Sequence, residues 1–305
     1  MPCPGRRGHL VITAEEQARA VLREACTGTG LSPDGARLMR LGSNAVFRLT
    51  APVVARVARS EAETPLARRT VAVARWLESE HYPAIRALHF GQPVIAGGYP
   101  VTFWEAVSPA GNEWASAAEI AGLLVKLHKL TAPDNLRLPE VAPFAKAAER
   151  ISASTWLTPG NRAVLTGKLA EIQHRYEQLD WALPAGVIHG DAAIGNALRN
   201  WHGQPVLIDL DNFAIGHREW DLILTAVYYD SFGWHTAEEY EAFAEAYGFD
   251  IMKWPGYATL KELSELLMVT WVVTKAGESE RVAGEASKRI ASIRTGASRR
   301  DWAPL

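Results

Sequence analysis

Two short apolar runs in the second half of the chain each end in side chains that carry oxygen. Val187-Ile188 is followed by His189-Gly190-Asp191 and then by Asn196, and the run 205–208 is followed by Asp209. Apolar runs this short, bounded by Gly, Asp and Asn, are typical of buried strands that lead into functional loops. Carboxylate and amide oxygens brought together at such strand ends suit Mg²⁺, which binds a few side-chain oxygens together with substrate phosphates.

The spacing of these residues has a chemical reason. An Asp that contacts a substrate hydroxyl cannot bind the metal at the same time. Asn196, five residues after Asp191, can fold back and offer a neutral oxygen to the ion, and Asp209 can reach that ion from a neighbouring strand. Kinases divide the work in this way: one Asp orients or deprotonates the nucleophile, while an Asn and a second Asp hold the metal.

The pattern His189-Gly190-Asp191-x-x-x-x-Asn196, followed by Ile208-Asp209, resembles the motifs of the aminoglycoside phosphotransferase (APH) or phosphotransferase enzyme family. The resemblance implies that Asp191 is catalytic, that Asn196 and Asp209 bind Mg²⁺, and that His189 braces the loop. It also implies an α+β, two-lobed, protein-kinase-like fold. We expect an N-terminal antiparallel sheet plus helix over 1–107, which binds the nucleotide, and a larger helical C-lobe over 108–305.

The region before residue 60 is predicted to hold the triphosphate. By resemblance, this role falls to Ser43, in the turn Gly42-Ser43-Asn44, and to Arg56 on the third strand. The family usually has a lysine at the position of Arg56. The alternatives are a plain hairpin for the turn and a surface arginine on an edge strand for Arg56. The family often has a Glu on the next helix, where this sequence has Thr70; either Glu63 takes its place or no ion pair forms.

A hinge that binds the purine is expected after the last strand of the N-lobe. By resemblance, the backbone of Glu105 and Val107 makes the hydrogen bonds, while apolar side chains enclose the ring. Segment 109–111, Pro-Ala-Gly, then marks the lobe boundary by composition.

The residues after the metal loop are expected to brace the site and to bind the acceptor. Asp221 matches a family aspartate that braces the catalytic loop, and Asp211 is either a second metal-side carboxylate or a solvated turn residue. An aromatic cluster with one carboxylate could clasp a sugar or nucleoside ring, or belong to the core; its members are Tyr228, Tyr229, Asp230, Phe232 and Trp234. Of these, Tyr229, Asp230 and Trp234 are the predicted acceptor residues. Eight acids stand against two bases in 230–265, a balance that favours a cationic acceptor or simply solvated helix faces.

Periodicity and capping signals predict the remaining elements. The capping boxes begin at Thr13 and Thr236, and no motif is evident in 284–305. The predicted strands are 37–42, 45–49, 53–58, 84–90 and 99–104, and the predicted helices are 13–26, 65–79, 118–130, 143–152, 158–179, 217–229, 236–247 and 255–275.

Composition is that of an ordinary globular protein. The 305 residues are 48% hydrophobic and 22% charged with a net charge of −2, so we expect neither nucleic-acid nor membrane binding. Cys3 and Cys26 have no partners at metal-ligand spacing. The first residues contain no long apolar run, which favours a cytoplasmic location. The sequence leaves open a monomer or a homodimer.

The predicted activity is Mg²⁺-dependent transfer of the γ-phosphate of ATP or GTP to a hydroxyl of a small molecule, such as an aminoglycoside, nucleoside or other antibiotic. One alternative is a nucleotide-binding pseudokinase or regulatory module. It is favoured by Arg56 and Thr70, which replace the lysine and the glutamate that the family has at these positions. A second is a protein kinase, which the missing HRD and DFG motifs and the short interval from Asn196 to Asp209 oppose.

Overall fold

A computed structural model describes residues 14–108 and 113–305. The chain forms two compact units, Met1–Asn112 (unit 1) and Glu113–Leu305 (unit 2). Thr13, Cys3 and the predicted boundary 109–111 lie outside the described residues. No described helix combines the length and apolarity needed to cross a bilayer.

Within residues 14–108, unit 1 is a five-stranded antiparallel sheet with two α-helices. The strand order is β1-β2-β3-β5-β4, so β3, which carries Arg56, is the central strand. The elements are α1 (Ala14–Cys26), β1 (Arg37–Leu41), β2 (Asn44–Arg48), β3 (Val53–Ala58), α2 (Thr64–Ser79), β4 (Val94–Ala96) and β5 (Tyr99–Glu105).

Alternation along the strands gives the sheet two different faces. Phe47, Ala55 and Phe103 point to one face and form a buried core with α1, including Cys26 at the helix end. Because successive side chains of a strand point to opposite faces, Val54 and Arg56 lie on the other face. The predicted positions of β1, β2 and β3 agree with the structure to within one residue at each end.

The predicted strand 84–90 is wrong, because the fourth strand is β4, which lies between the predicted strands 84–90 and 99–104. Both segments run along the same edge of β5. Leu88 and Arg86 each make one backbone bond to β5, at 3.0 and 2.9 Å, and Ala87 forms an isolated bridge. The Gln92 side chain accepts a 2.8 Å bond from the Phe103 N–H and donates a 2.8 Å bond to the Leu88 carbonyl. A side chain thus occupies the position of a backbone partner, which interrupts the ladder.

Unit 2 is mainly helical, with two small antiparallel strand pairs. The pairs are β6 with β9 and β7 with β8. The helices are α3 (Ala117–Leu127), α4 (Pro143–Ala153), α5 (Pro159–Tyr176), α6 (Glu219–Val227), α7 (Ala237–Tyr247), α8 (Tyr257–Lys275) and α9 (Glu280–Thr295), and the strands are β6 (Ala185–Ile188), β7 (Ala197–Arg199), β8 (Pro205–Leu207) and β9 (Ala214–His217).

The two apolar runs of the central motif are strands, but they are not neighbours in one sheet as we expected. The run at Val187-Ile188 pairs with β9, and the run before Asp209 pairs with β7. The sequence patterns predict neither partner: they give no strand at β7, and the predicted helix 217–229 overlaps the end of β9. Runs of two to four residues carry too little pattern to specify a pairing partner.

Capping chemistry in the sequence agrees with the helix start at Thr236, and the structure shows further features at other helix ends. The capping box at Thr236 is present, with Glu239 as its second member, and a further one begins α3 at Ser116. The predicted helix 217–229 instead begins at Glu219 and continues into a π-helical turn, Tyr228–Phe232. Helix α9 was not predicted.

Candidate active site

His189 connects the loop after β6 to the end of β8. Its ring nitrogen Nδ1 accepts a bond from the Asp191 N–H at 3.3 Å, and Nε2 contacts the carbonyl of Ile208 at 2.9 Å. With Nδ1 as the acceptor, Nε2 is the ring nitrogen that donates to the Ile208 carbonyl. The ring is fully buried. His189 therefore holds the two predicted loops together even though their strands do not pair.

Asp221, at the start of α6, receives the backbone of the same loop. Its carboxylate oxygens accept bonds from the N–H groups of His189 and Gly190 at 2.7 and 2.8 Å. His128 on α3 adds a third bond at 3.0 Å, and its other ring nitrogen contacts Tyr247 Oη at 2.8 Å. Both Asp221 and His128 are buried. The Asp221 carboxylate thus holds the backbone of the loop at His189 and Gly190 in place.

Gly190 is required by both its backbone and its surroundings. Its φ is +81°, and a Cβ atom at this position would lie 2.3 Å from the carbonyl oxygen of Asn212. Only glycine fits such a close approach at positive φ without strain. The loop 189–191 is therefore packed directly against the segment that follows Asp209.

Asn196 turns back onto Asp191, as the five-residue spacing predicts. Its Nδ2 donates to the Asp191 carbonyl at 2.7 Å and to the Asp191 carboxylate at 3.2 Å. Burial raises the pKa of Asp191, and the charge of Asp209 adds to the effect, while His189, Asn196 and Lys146 act in the opposite direction. Asp191 and Asp209 are therefore close enough to repel each other electrostatically.

The oxygen atoms around Asn196 and Asp209 fit a magnesium ion. Nδ2 of Asn196 faces Asp191. The Oδ1 atom of Asn196 is therefore directed away from Asp191 and can serve as a metal ligand. The Asn196 carbonyl accepts a 2.9 Å bond from the Ile208 N–H, which places residue 196 beside Asp209. No set of three or more His, Cys, Asp or Glu side chains in 14–108 and 113–305 could hold a metal. A Mg²⁺ site needs only one or two carboxylates together with phosphate oxygens.

The predicted nucleotide residues lie in unit 1. Ser43 is exposed in the turn between β1 and β2, where Arg59 donates a 3.0 Å bond to the carbonyl of Gly42. Arg56 lies across from Val46 on β2 and Thr102 on β5, so it is not on an edge strand.

Thr70 and the hinge residues also lie in unit 1. The Thr70 hydroxyl donates to the Leu66 carbonyl of its own helix at 3.0 Å, so this position offers no carboxylate. The Glu105 N–H is bonded to the Arg86 carbonyl at 2.9 Å. A purine at this place would therefore use the Glu105 carbonyl and the residues after it, Val107 among them.

The three predicted acceptor residues lie at the π-helical turn of unit 2. The Asp230 carboxylate contacts Lys261 Nζ at 2.6 Å and accepts a bond from Tyr257 at 2.9 Å, so its charge is already compensated. Tyr229 stacks on Tyr240 with ring centroids 5.4 Å apart. Trp234 donates through Nε1 to a backbone carbonyl at 3.0 Å. Each residue thus has a structural role of its own.

The acid surplus of segment 230–265 is largely used in internal contacts. Glu262 binds both Lys168 and Arg175, and Glu265 binds Arg299 and Ser231. Asp250 binds Lys253 and Tyr240, and Glu239 is part of a capping box. Together with the pairing of Asp230, these contacts mean that the segment's acid count does not indicate a cationic acceptor.

Two residues that the sequence did not single out as site residues stand close to Asp191. Lys146 on α4 donates to Asn212 Oδ1 at 3.3 Å and interacts electrostatically with Asp191 and Asp211. Tyr228 begins the π-helical turn; burial raises its pKa to about 12, and the charge of Asp191 adds to this. Lys146 carries no sequence signal, because it belongs to an ordinary helical stretch. Tyr228 belongs to the predicted aromatic cluster, but the sequence assigns it no role of its own.

Comparison with known proteins identifies the relatives of this chain. The family model described as Phosphotransferase enzyme family (APH) matches residues 38–263, well over half of the chain. Among curated proteins, none matches the sequence.

Solved structures with low sequence identity share the fold. An amicoumacin kinase in complex with AMP-PNP, Ca²⁺ and Ami has a TM-score of 0.69 at 14% identity, with 95% of this chain and 98% of that chain covered. A choline kinase from Streptococcus pneumoniae has a TM-score of 0.63 at 17% identity, covering 89% and 98%. An aminoglycoside phosphotransferase from Streptomyces rimosus has a TM-score of 0.58 at 20% identity, covering 81% and 97%. These likenesses confirm the predicted protein-kinase-like fold.

Proposed function

Because this chain belongs to the phosphotransferase enzyme family, we propose that it is a small-molecule kinase that transfers the γ-phosphate of ATP or GTP to a hydroxyl group. The similar structures, which include an amicoumacin kinase bound to AMP-PNP, support a nucleotide as the donor. The observation that carries the proposal is the Asp191–Asn196 contact beside Asp209, held by the buried side chains of His189 and Asp221.

Asp191 performs the chemical role at the acceptor. Its carboxylate accepts a hydrogen bond from the acceptor hydroxyl and aligns the oxygen for in-line attack on the γ-phosphorus. Because the transition state of phosphoryl transfer is loose, orientation contributes more than full deprotonation. His189 and Asp221 keep the loop in place, so that the aligned position of Asp191 is set before the substrate binds.

Asn196 and Asp209 are the residues that would hold Mg²⁺. When bound, the ion supplies positive charge that neutralises the phosphates and polarises their oxygens. The proposed nucleotide contacts in unit 1 are Ser43 and Arg56 for the phosphates and the backbone of Glu105 and Val107 for the purine.

The acceptor is a small hydroxyl compound. The structures of similar fold include enzymes named for amicoumacin, choline and aminoglycosides, which supports a small molecule as the acceptor class. Nucleosides and other antibiotics belong to the same class. The internal pairing of Asp230, Glu262 and Glu265 gives a polycationic acceptor no advantage there.

The decisive experiment is a phosphorylation assay over antibiotics, aminoalcohols and nucleosides with ATP and with GTP, read by product mass. We expect Asp191→Asn to lower kcat by about 10²- to 10⁴-fold, because the oriented carboxylate is lost. The dissociation constant of Mg²⁺-nucleotide should stay the same. Asp134→Asn, in an exposed turn, is the matched control and should behave as wild type. Equal turnover of wild type and Asp191→Asn would remove Asp191 from the mechanism.

A second candidate is a nucleotide-binding module without transfer activity. The observation that favours it is Thr70, whose hydroxyl is bonded within its own helix where the family often has a glutamate. Binding of nucleotide without turnover across the whole acceptor panel would support this candidate. A protein kinase is not favoured, because a short hairpin of β7 and β8 fills the interval between Asn196 and Asp209.

A further inference from the structure

Lys146 reaches the catalytic loop from a helix that is remote in sequence. Its Nζ lies 3.3 Å from Asn212 Oδ1, and the carbonyl of Asn212 is packed against Gly190. Lys146 is thus separated from the loop that carries Asp191 by one residue, while its side chain remains exposed and accessible to a ligand.

The backbone fixes the start of the helix that carries Lys146. The segment before α4 runs beside β9, with the Val141 N–H bonded to the Ile215 carbonyl at 3.0 Å and the Ile215 N–H bonded to the Pro139 carbonyl at 2.8 Å. Pro143 then begins α4 and is buried. The position of Lys146 therefore follows from the fold and not from a flexible surface segment.

The catalytic loop has no lysine or arginine between Asp191 and Asn196. Residues 192–195 are Ala-Ala-Ile-Gly. The Lys146 ammonium group interacts electrostatically with Asp191 and Asp211. Lys146 thus provides a cation beside the residue that orients the acceptor.

We propose that Lys146 is a further catalytic residue, whose ammonium group binds a non-bridging oxygen of the phosphoryl group during transfer. The inference rests on the proposed kinase activity. Charge on the transferred group is spread over its three equatorial oxygens, and a fixed cation next to them lowers the energy of the transition state.

The step balances without a further reactant. The bond between the γ-phosphorus and the β–γ bridging oxygen breaks, and its electron pair leaves with the nucleoside diphosphate. A bond forms between the acceptor oxygen and phosphorus, and the acceptor proton passes to Asp191. Lys146 donates a hydrogen bond and keeps its proton.

The test uses water as the acceptor, so that no acceptor needs to be known. Background hydrolysis of Mg²⁺-ATP is measured for the full-length chain and for Lys146→Met, Lys146→Gln and Lys146→Arg, together with Mg²⁺-ADP affinity and melting temperature. We expect Met and Gln to lower kcat by about 10-fold or more with the affinity unchanged, and Arg to restore most of the rate. Lys253→Met is the matched control, since that side chain is 83% exposed and pairs with an acid on the surface.

The outcomes separate the two proposals. If Lys146 only holds Asn212 by a hydrogen bond, Gln will restore activity as well as Arg does, and the inference is overturned. A wild-type rate in Lys146→Met overturns it as well. A wild type that binds Mg²⁺-ATP but never hydrolyses it, and phosphorylates nothing in the acceptor panel, overturns the kinase proposal itself and this inference with it.

Discussion

Position 190 has no room for a side chain, and this can be measured against a matched glycine. Gly190 and Gly203 both have positive φ, +81° and +72°, but a Cβ at 190 meets the Asn212 carbonyl at 2.3 Å, whereas nothing lies within 4 Å at 203. We expect Gly203→Ala to cost about 1–2 kcal/mol from its backbone alone. Gly190→Ala should cost about 1–3 kcal/mol more, because the loop must shift. Urea unfolding measures both, and equal losses would show that Asn212 yields at no cost.

Single residues divide into those that a local pattern can predict and those that only the fold brings together. The spacing of Asp191 and Asn196 predicted a loop that folds back on itself, and the two side chains are in contact at 3.2 Å. Lys146 could not be predicted, because it precedes Asp191 by 45 residues and reaches the loop through Asn212. Asp230 shows the converse. Its charge predicted a contact with the acceptor, but the structure shows that it forms an ion pair with Lys261.

Helices α5 and α8 are joined by an ion-pair cluster that should respond to acid. Burial acts to raise the pKa of Glu262, but hydrogen bonds from Arg175 and Lys168 outweigh it and hold the pKa below its ordinary value. A lowered carboxylate pKa stabilises the fold above the unfolded-state pKa, and the contribution is lost as the pH falls through the folded-state value.

We therefore expect Glu262→Gln to lower the free energy of unfolding by about 1 kcal/mol at neutral pH. The difference from wild type should shrink below the ordinary pKa of 4.5. Urea unfolding at several pH values gives the difference directly, and Glu241→Gln on the exposed face of α7 should run parallel to wild type. A difference that persists unchanged in acid would mean that the carboxylate charge is not what joins the two helices.

Strongly periodic or capped elements were predictable, and short strands were not. The Thr236 capping box and the alternation of β2 and β3 gave the correct elements from local chemistry. The segment 84–90 failed because the side chain of Gln92 interrupts its pairing with β5. Strand β6 pairs with β9, and β8 pairs with β7. No local sequence pattern encodes which strands pair.

At the scale of the whole molecule, the family match and the fold agree although the three similar structures described above are only 14%, 17% and 20% identical to this chain. The fold can be kept at such distance because many combinations of apolar residues can fill a core of given volume. The motif residues around Asp191 and Asp209 were therefore enough to predict the overall fold. For the predicted acceptor residues, the sequence left a ligand-binding role and a core role open.

Ligand binding should raise the stability of the full-length chain in a metal-dependent way. A ligand at 100 times its dissociation constant adds about 2.7 kcal/mol to the free energy of unfolding, or roughly 4 °C in melting temperature for a chain of this size. We expect ADP with Mg²⁺ to produce this shift in wild type and ADP with EDTA to produce a smaller one. In Asp209→Asn the two shifts should become equal and small, because the carboxylate proposed to hold the ion is gone while the proposed nucleotide contacts remain. Asp134→Asn should keep the wild-type difference between the two conditions. If Asp209→Asn also keeps that difference, the ion is held elsewhere, and the assignment of the metal to the end of β8 is wrong.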